Sequence, residues 1–344
     1  MNLKTAIVDL EALLMSKKII KHNDITHEAK HTLLMRTLIA LLMLVVFLPC
    51  LFLGGYFYLA LVIFAIGAAT YEVAKASQRK FSYFIWIVTF IVIYALIFWV
   101  IIKTYTPLNW NNFDINLAFS QLWLSPIALG VMIGVYFFVA IIKEDFLISD
   151  ACYLIAMCLL LSLTFQAVLY IRYIPFSLFK DEIDISSSYF KYAQSTYLII
   201  YLLIAIFFND IGAYLTGMFF GKHKMNPRIS PKKTWEGFVG GILVSFICSL
   251  TFGLLVGYFN SPMLPSLDFS HWYWILLISI ILPFVGNLGD FTFSAIKRNF
   301  AIKDYSHVLG PHGGILDRID STLFGALALA ILIIFILNGW NFYR

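Results

Sequence analysis

Near the C-terminus, polar side chains recur at helical spacing within an otherwise apolar stretch. They are Asn287, Asp290, Ser294 and Lys297. Intervals of three, four and three residues place an amide, a carboxylate, a hydroxyl and an ammonium group on one helix face. A structural hydrogen-bond seam has the same pattern, but such a seam rarely continues into a second cation, as this one does at Arg298. The stripe therefore favours a functional site over a seam.

A loop rich in glycine and charge follows this helix. Its glycines allow the backbone to bend and to approach a ligand closely, and a histidine lies among them. These residues are Gly310, His312, Gly313 and Gly314. The next helix begins with Asp317 and Asp320, which share one face, and with Arg318 between them. Carboxylates at this spacing suit Mg²⁺, whereas capping of the helix dipole explains only one of the acids.

Asp210 is a further acid inside an apolar run, where an unpaired carboxylate costs about 3 kcal/mol on insertion scales. Tyr214, Gly217 and Gly221 share its helix face. The small residues permit close approach by another helix or by a ligand. A packing seam whose aspartate bonds a neighbouring helix is the alternative interpretation.

The loop after this run carries five cations and no acid in residues 221–233. A plain cytoplasmic loop would look similar, but its end is more specific. Ser230-Pro231 matches a helix N-cap followed by proline at the first helical position. Lys232, Lys233 and Thr234 would then occupy the first turn, where lysines oppose the helix dipole and so indicate a bound phosphate.

These parts together are those that phosphoryl transfer uses: carboxylates near helix ends, cationic loops and a glycine-rich turn. The sequence has no Ser-His-Asp spacing, no candidate cysteine nucleophile and no GxxxxGK[ST] phosphate loop. The patterns therefore predict metal-assisted displacement at phosphorus rather than covalent acyl transfer.

The chain that must position these groups is strongly apolar. Of its 344 residues, 61% are hydrophobic and 12% are charged, which excludes ordinary water-soluble domains. We predict an all-α, polytopic integral membrane protein with about nine transmembrane helices. The expected spans are 37–53, 56–72, 83–102, 122–142, 149–171, 194–219, 236–258, 272–297 and 319–340. Pro49 and Gly54-Gly55 break the first apolar stretch into a hairpin.

Basic residues indicate the orientation. With nine spans, 19 of the 24 Lys and Arg residues fall on one side, so the N-terminus is predicted to be cytoplasmic. We expect a cytoplasmic or interfacial segment at 1–36, an N-terminal transmembrane region at 37–190 and a catalytic transmembrane region at 191–344. The net charge of +5 indicates contact with anionic lipid headgroups and no nucleic-acid partner.

Two long motifs resemble those of the phosphatidate cytidylyltransferases, also called CDP-diacylglycerol synthases. One is S-A-I-K-R-x4-K-D-x-S-x2-L-G-P-H-G-G-I-L-D-R-I-D, and the other is DIGAYLTGMFFGKHK followed by SPKKTWEGFVGG. The resemblance covers about residues 200–340, whereas the first 190 residues are similar only as a hydrophobic multi-span region. Phe293 departs from the pattern, because many members have glutamate before the serine.

The resemblance implies transfer of CMP from CTP to phosphatidic acid with Mg²⁺ and a second cation, by a homodimer at the cytoplasmic face of the cell membrane. It implies a metal and phosphate centre at Asp290, Asp317 and Asp320. Implied phosphate contacts are Ser294, Lys297, Arg298, Lys232, Lys233 and Thr234. Further motif positions without individual roles are Lys303, Asp304, His312 and Arg318. Asp210, Asn287, Gly313 and Gly314 complete the candidate substrate-binding set.

Two alternatives stay open. A CTP-dependent enzyme acting on an isoprenoid or ether lipid, including a polyprenol kinase, would carry similar motifs. An ion-coupled transporter would bind ions at Asp210 and Asp290, but the polar residues concentrate at the cytoplasmic ends of the spans. For the transferase, we expect in-line attack by a phosphatidate oxygen on the α-phosphorus of CTP, with positioning and charge neutralisation supplying most of the rate.

Overall fold

The structure is a computed structural model that describes residues 27–104, 114–120, 122, 125–178, 188–259, 262–310 and 313–338. Its helices are α1 (His27–Leu53), α2 (Gly55–Ala76), α3 (Tyr83–Thr104), α4 (Ile115–Ala118), α5 (Pro126–Ile142), α6 (Ile148–Leu178), α7 (Ser188–Phe220), α8 (Trp235–Tyr258), α9 (Trp272–Asn299) and α10 (Leu316–Asn338). Its short strands are β1 (Lys224–Asn226) and β2 (Ser230–Thr234). The predicted all-α class is confirmed, with this small ribbon as an addition.

Seven helices in the described part of the chain are long and apolar enough to cross a membrane. They lie in α2, α3, α6, α7, α8, α9 and α10. The apolar part of α1, Thr37–Leu53, and the helix α5 are shorter. Each of the nine expected spans overlaps one of these helices, which confirms a multi-pass membrane protein. α5 begins at Pro126 rather than 122, because Ser125 caps it by accepting a hydrogen bond from the Ala128 N–H.

The chain divides into two compact units after Val45. Within the described residues, the first unit consists of the start of α1. Most of the segment 1–36, which we predict to be interfacial, lies outside the described residues. The second unit contains the elements from the end of α1 onwards. The three regions expected from the sequence stay a prediction.

A single non-helical residue, Gly54, separates α1 from α2, as the glycine pair predicts, whereas Pro49 lies inside α1 and does not end it. Gly54 has a φ of +61°, in the left-handed region that favours glycine. A Cβ atom at Gly54 would come within 2.2 Å of a guanidinium nitrogen of Arg172 on α6. Arg172 is fully buried and donates a hydrogen bond to the Leu51 carbonyl oxygen at 3.1 Å. The guanidinium group thus fastens the end of α1 to α6 and occupies the open side of the glycine.

Replacing Gly54 by alanine is expected to lower the free energy of unfolding by about 3 kcal/mol, because a strained φ and a clash with Arg172 add together. Gly55→Ala is the matched control, since Gly55 also has a positive φ of +48° but has nothing within 4 Å of its Cβ position. Thermal unfolding in detergent should show a lower midpoint for Gly54→Ala than for Gly55→Ala. Equal midpoints would contradict the proposed clash.

Glycines also let α7 and α8 approach closely. A Cβ atom on Gly217 would lie 3.6 Å from the Gly237 Cα, and one on Gly241 would lie 2.7 Å from the Asn209 carbonyl oxygen. The prediction that small residues near Asp210 admit a neighbouring helix is therefore confirmed. This contact places the acidic part of α7 beside the start of α8.

α9 and α10 meet in the same way. A Cβ atom on Gly289 would lie 2.7 Å from the Phe324 Cβ and 3.0 Å from the Asp320 carbonyl oxygen. Because Gly289 directly precedes Asp290, this close approach brings the acidic start of α10 beside the acidic part of α9.

Candidate active site

The cationic loop between α7 and α8 folds as a two-stranded antiparallel ribbon. Lys224 pairs with Thr234, and Asn226 pairs with Ser230. The prediction that Ser230-Pro231 begins a helix is therefore wrong. Those residues match a helix cap locally, but pairing with β1 holds residues 230–234 in an extended conformation instead.

α8 begins one residue after Thr234, which is itself a good N-cap. The Thr234 Oγ1 accepts a hydrogen bond from the Gly237 N–H at 3.1 Å. Glu236 in the first turn accepts hydrogen bonds from the N–H of His223 at 3.2 Å and from its ring Nδ1 at 2.5 Å. These contacts fix the base of the ribbon to α8. Because α8 begins only at Trp235, Lys232 and Lys233 lie on β2, before the helix, rather than in its first turn.

Several predicted substrate-binding residues line one cavity of about 350 Å³, which we call the lysine-lined cavity. They are Asp210, Lys232, Lys233, Thr234 and Asn287. The cavity wall also includes the apolar side chains of Met218, Met225 and Phe238. A cavity that offers two ammonium groups together with apolar side chains suits an amphipathic anion such as a lipid phosphate.

Asp290 connects this cavity to the polar face of α9. Its Oδ2 atom lies 2.5 Å from the Lys233 Nζ, and its Oδ1 atom accepts a hydrogen bond from the Ser294 hydroxyl at 3.2 Å. The Lys233 ammonium also lies 4.3 Å from the ring centroid of Phe291. The two charged side chains are 28% and 29% exposed, so this ion pair remains open to a ligand.

A second ion pair joins the end of α9 to the start of α10. The Lys297 Nζ lies 2.6 Å from the Asp317 Oδ1, and the two side chains are only 10% and 6% exposed. The Asp317 Oδ2 accepts hydrogen bonds from the N–H groups of Tyr305 at 2.9 Å and Gly314 at 3.0 Å. Asp317 therefore holds the loop between the helices as well as the lysine.

Asp320 lies one turn further along α10 and is buried. It interacts electrostatically with Asp290, Asp317 and Lys297. One of its carboxylate oxygens accepts a hydrogen bond from the Ser321 N–H at 2.7 Å. The structure thus brings the three predicted metal ligands together, at the contact between α9 and α10.

Asp210 belongs to the same group of charges, although it comes from a third helix. Its carboxylate on α7 interacts electrostatically with Asp290 and Lys233. Its side chain is exposed at the wall of the lysine-lined cavity. The structure therefore places Asp210 with the predicted site rather than in a helix seam alone.

The acidic side chains suit a cation that takes few ligands from protein. Within the described residues, no three His, Cys, Asp or Glu side chains form a ready cation-binding group. Mg²⁺ needs only one or two carboxylates, since water and phosphate oxygens complete its shell. Asp290 and Asp320 repel each other, and a divalent ion would remove this repulsion. Asp317 fits the ion less well, because its oxygens accept three hydrogen bonds, one of them within a nearly buried ion pair, whereas the Lys233–Asp290 pair is partly exposed.

Other motif residues lie around this centre. The exposed Arg298 donates hydrogen bonds to the carbonyl oxygens of Ile229 at 3.3 Å and Ile302 at 2.9 Å, and so ties the ribbon to the end of α9. Lys303 and Arg318 are exposed. His312 lies outside the described residues.

A second cavity, of about 480 Å³, lies where α2 meets the loop that follows α9. The predicted residue Asp304 lines it, together with Lys75 and His307. Asp304 therefore lines a different cavity from Lys232 and Lys233. Gly313, with a φ of +82°, and Gly314 are both buried at the start of α10.

Phe293, the departure from the family pattern, is buried against Tyr305 and Phe324. The Tyr305 hydroxyl donates a hydrogen bond to the Phe293 carbonyl oxygen at 3.2 Å. Burial raises the pKa of Tyr305 above its ordinary value, and the nearby Tyr153 and Asp317 add to this effect. The phenol therefore stays protonated and keeps its role as a donor.

Sequence reasoning missed two buried polar residues. Asn209 accepts a hydrogen bond from the Asn287 side-chain amide at 3.0 Å, which links α7 to α9. Glu72 on α2 accepts hydrogen bonds from Ser306, Ile315 and Leu316 at the start of α10. An acid inside an apolar run was the available signal for Glu72, the same signal that drew attention to Asp210.

Comparison with known proteins shows similarity to one enzyme family. A sequence model of the cytidylyltransferase family matches residues 34–336. A phosphatidate cytidylyltransferase of Staphylococcus aureus is 34% identical over 304 residues, which cover 87% of this chain and 98% of the relative. Relatives of the same name from Staphylococcus saprophyticus and Staphylococcus epidermidis are 33% and 34% identical, with the same coverage.

The family match extends well beyond the motifs that carry the resemblance. It begins at residue 34, so the similarity is not confined to about residues 200–340, and it includes α2 with Glu72. The match reaches residue 336, near the end of α10. Since it spans nearly the whole of this multi-pass membrane protein, the chain belongs to the cytidylyltransferase family.

Proposed function

We propose that this protein transfers CMP from CTP to phosphatidate and releases CDP-diacylglycerol and pyrophosphate. The names of its Staphylococcus relatives support phosphatidate as the acceptor. The observation that carries the proposal is the 2.5 Å ion pair between Lys233 and Asp290. It joins a cavity suited to a lipid phosphate with the group of carboxylates on α9 and α10.

The lysine-lined cavity is the proposed site for the phosphatidate headgroup. Lys232 and Lys233 supply two positive charges for the phosphate, and Phe238 with Met218 supplies an apolar surface for the start of the acyl chains. Lysines bind phosphate as compact charges without a fixed geometry, which allows the headgroup to move towards the second substrate.

The reaction needs little proton transfer, because a phosphate monoester already carries a nucleophilic oxygen anion near neutral pH. This oxygen forms a bond to the α-phosphorus of CTP, and the bond from that phosphorus to the β-phosphate oxygen breaks. Pyrophosphate leaves with the electron pair. Lys233 and Lys297 lower the repulsion between the two anionic substrates. The close contact between α9 and α10 keeps Lys297 and the carboxylates in position for in-line attack.

Asp290 and Asp320 are the residues that we propose hold Mg²⁺. A bound ion would supply positive charge to the phosphate oxygens of the substrates and of the leaving pyrophosphate. Asp317 keeps the ammonium of Lys297 and the loop after α9 in place beside these two carboxylates.

The proposed site faces the cytoplasm. Most Lys and Arg residues of the chain lie on the side of the predicted topology that carries the ribbon and the loop before α10. CTP is a cytoplasmic nucleotide, and phosphatidate presents its headgroup at the same membrane surface. In a bacterial cell this surface belongs to the inner membrane.

An assay with labelled CTP distinguishes this reaction from the alternative CTP-dependent reactions. Purified protein should be incubated in lipid–detergent micelles with Mg²⁺ and with phosphatidate, an isoprenoid phosphate or a polyprenol. We expect label from the α-phosphate, but not from the γ-phosphate, to enter the lipid fraction with phosphatidate. Transfer of γ-label to a polyprenol would identify a kinase, and α-label entering only an isoprenoid lipid would contradict the proposed acceptor.

A further inference from the structure

Glu72 on α2 is a fully buried acid. It lies near the C-terminal end of α2 and has no exposed surface. Its Oε1 atom accepts hydrogen bonds from the Ser306 hydroxyl at 2.6 Å and the Ile315 N–H at 2.8 Å. Its Oε2 atom accepts one from the Leu316 N–H at 2.7 Å. One carboxylate thus fastens two separate parts of the loop before α10.

These donors are the groups that open α10. The N–H groups at a helix start have no partner within the helix, and the helix dipole favours a negative charge there. A side chain adjacent in sequence usually supplies this cap. Here the cap comes from Glu72, which precedes Ile315 by 243 positions and Leu316 by 244 positions in the chain. The location of α10 therefore depends on α2.

Gly314 shows how tightly this contact is built. A Cβ atom on Gly314 would lie 2.6 Å from the Glu72 Oε1 and 2.7 Å from its Oε2. The carboxylate cannot retreat easily, because its oxygens already accept three hydrogen bonds. The glycine at this motif position thus admits the Glu72 carboxylate, whereas the sequence suggested that it admits a ligand.

The hydrogen bonds of Glu72 are linked to the proposed active site through the neighbouring residues. Tyr305, which precedes Ser306, donates its N–H to Asp317, and so does Gly314. Asp317 in turn binds Lys297. A displacement of the loop at Glu72 would therefore move the first turn of α10 and the carboxylates that it carries.

We propose that Glu72 is a positioning residue for CMP transfer: it sets the location of Asp317 and Asp320 relative to Asp290 without touching substrate. This inference rests on the proposed function. Packing alone does not account for the residue, since an apolar side chain would fill the same space without the cost of burying a charge.

Glu72→Gln tests the proposal with a change of charge and hydrogen bonding at nearly constant size. An amide nitrogen would face at least one of the donors, so we expect kcat to fall about tenfold to a hundredfold. The KM for phosphatidate should stay within about twofold, because the lysine-lined cavity lies elsewhere. Hydrogen exchange at the amides of Ile315 and Leu316 should become faster.

Three further variants make the result specific. Ser306→Ala removes one of the donors and leaves the carboxylate in place, so it should fold and lower kcat less than Glu72→Gln. Ile66→Ala, at a buried apolar site of the same helix, should lower the unfolding temperature without changing kcat of the folded protein. Glu144→Gln, at an exposed acid, should change neither quantity.

The outcomes separate this inference from the function on which it rests. An inactive wild-type protein would overturn the proposed function and the inference with it. An active wild-type protein with normal kcat in Glu72→Gln and Ser306→Ala would overturn the inference alone. Equal losses of kcat in Ile66→Ala and Ser306→Ala would do so too, because they would reduce Glu72 to general support of the fold.

Discussion

Asp290→Asn is expected to lower kcat for CMP transfer by about a thousandfold or more. Asparagine keeps the size of the side chain and an oxygen that can accept the Ser294 hydrogen bond. It removes the negative charge that pairs with Lys233 at 2.5 Å and that faces Asp320. The variant therefore isolates the charge of a proposed metal ligand. The rate of α-labelled CMP incorporation into phosphatidate measures its effect.

The matched control is Asp145→Asn, an identical chemical change at an exposed acid between α5 and α6. It should keep the wild-type rate, and both variants should unfold at nearly the wild-type temperature, because the Lys233–Asp290 pair is partly exposed and contributes about 1 kcal/mol or less to stability. A normal rate in Asp290→Asn would remove this residue from the proposed catalytic centre and would leave Asp320 without its proposed partner.

Local periodicity was enough to predict much of this centre from the sequence. Asp290 and Ser294 share a face of α9, and Asp317 and Asp320 lie together at the start of α10, because helical spacing fixes both relations. The helices themselves follow from apolar runs, which have few alternatives in a membrane. Which carboxylate binds a lysine could not be predicted, since helix packing decides it.

Pairing between separate segments of the chain escaped prediction, both in a local hairpin and across a long distance in sequence. Ser230-Pro231 is a good helix start when judged locally, but pairing with β1 extends the strand to Thr234 and delays α8. Glu72 reaches Leu316 across 244 positions, and no local pattern signals such a cap. Its charge inside an apolar run was visible, but its partner was not, because that partner is the backbone of another helix.

Lys297→Met is the second change with a large expected effect, and it should affect both stability and rate. The Lys297 side chain is 10% exposed and its ammonium lies 2.6 Å from the Asp317 carboxylate. Methionine keeps the apolar length of the side chain but leaves the aspartate buried without its countercharge. Breaking such a pair from one side costs about 3 kcal/mol, so the unfolding temperature should fall clearly. We also expect kcat to fall at least about a hundredfold, because the charge that we propose lowers the repulsion between the two substrates is lost.

Lys233→Met should give the opposite profile, since its pair with Asp290 is partly exposed and lines the lysine-lined cavity. Its stability should change by less than about 1 kcal/mol, while the KM for phosphatidate should rise about tenfold through the loss of a charge-assisted contact. Lys143→Met, at an exposed lysine, controls for removal of a positive charge. Thermal unfolding and initial rates over a range of phosphatidate concentrations separate the three variants. The burial of the two ion pairs indicates separate roles: the Lys233–Asp290 pair binds the lipid, and the Lys297–Asp317 pair holds α9 and α10 together. Equal changes of stability and KM in Lys233→Met and Lys297→Met would contradict these separate roles.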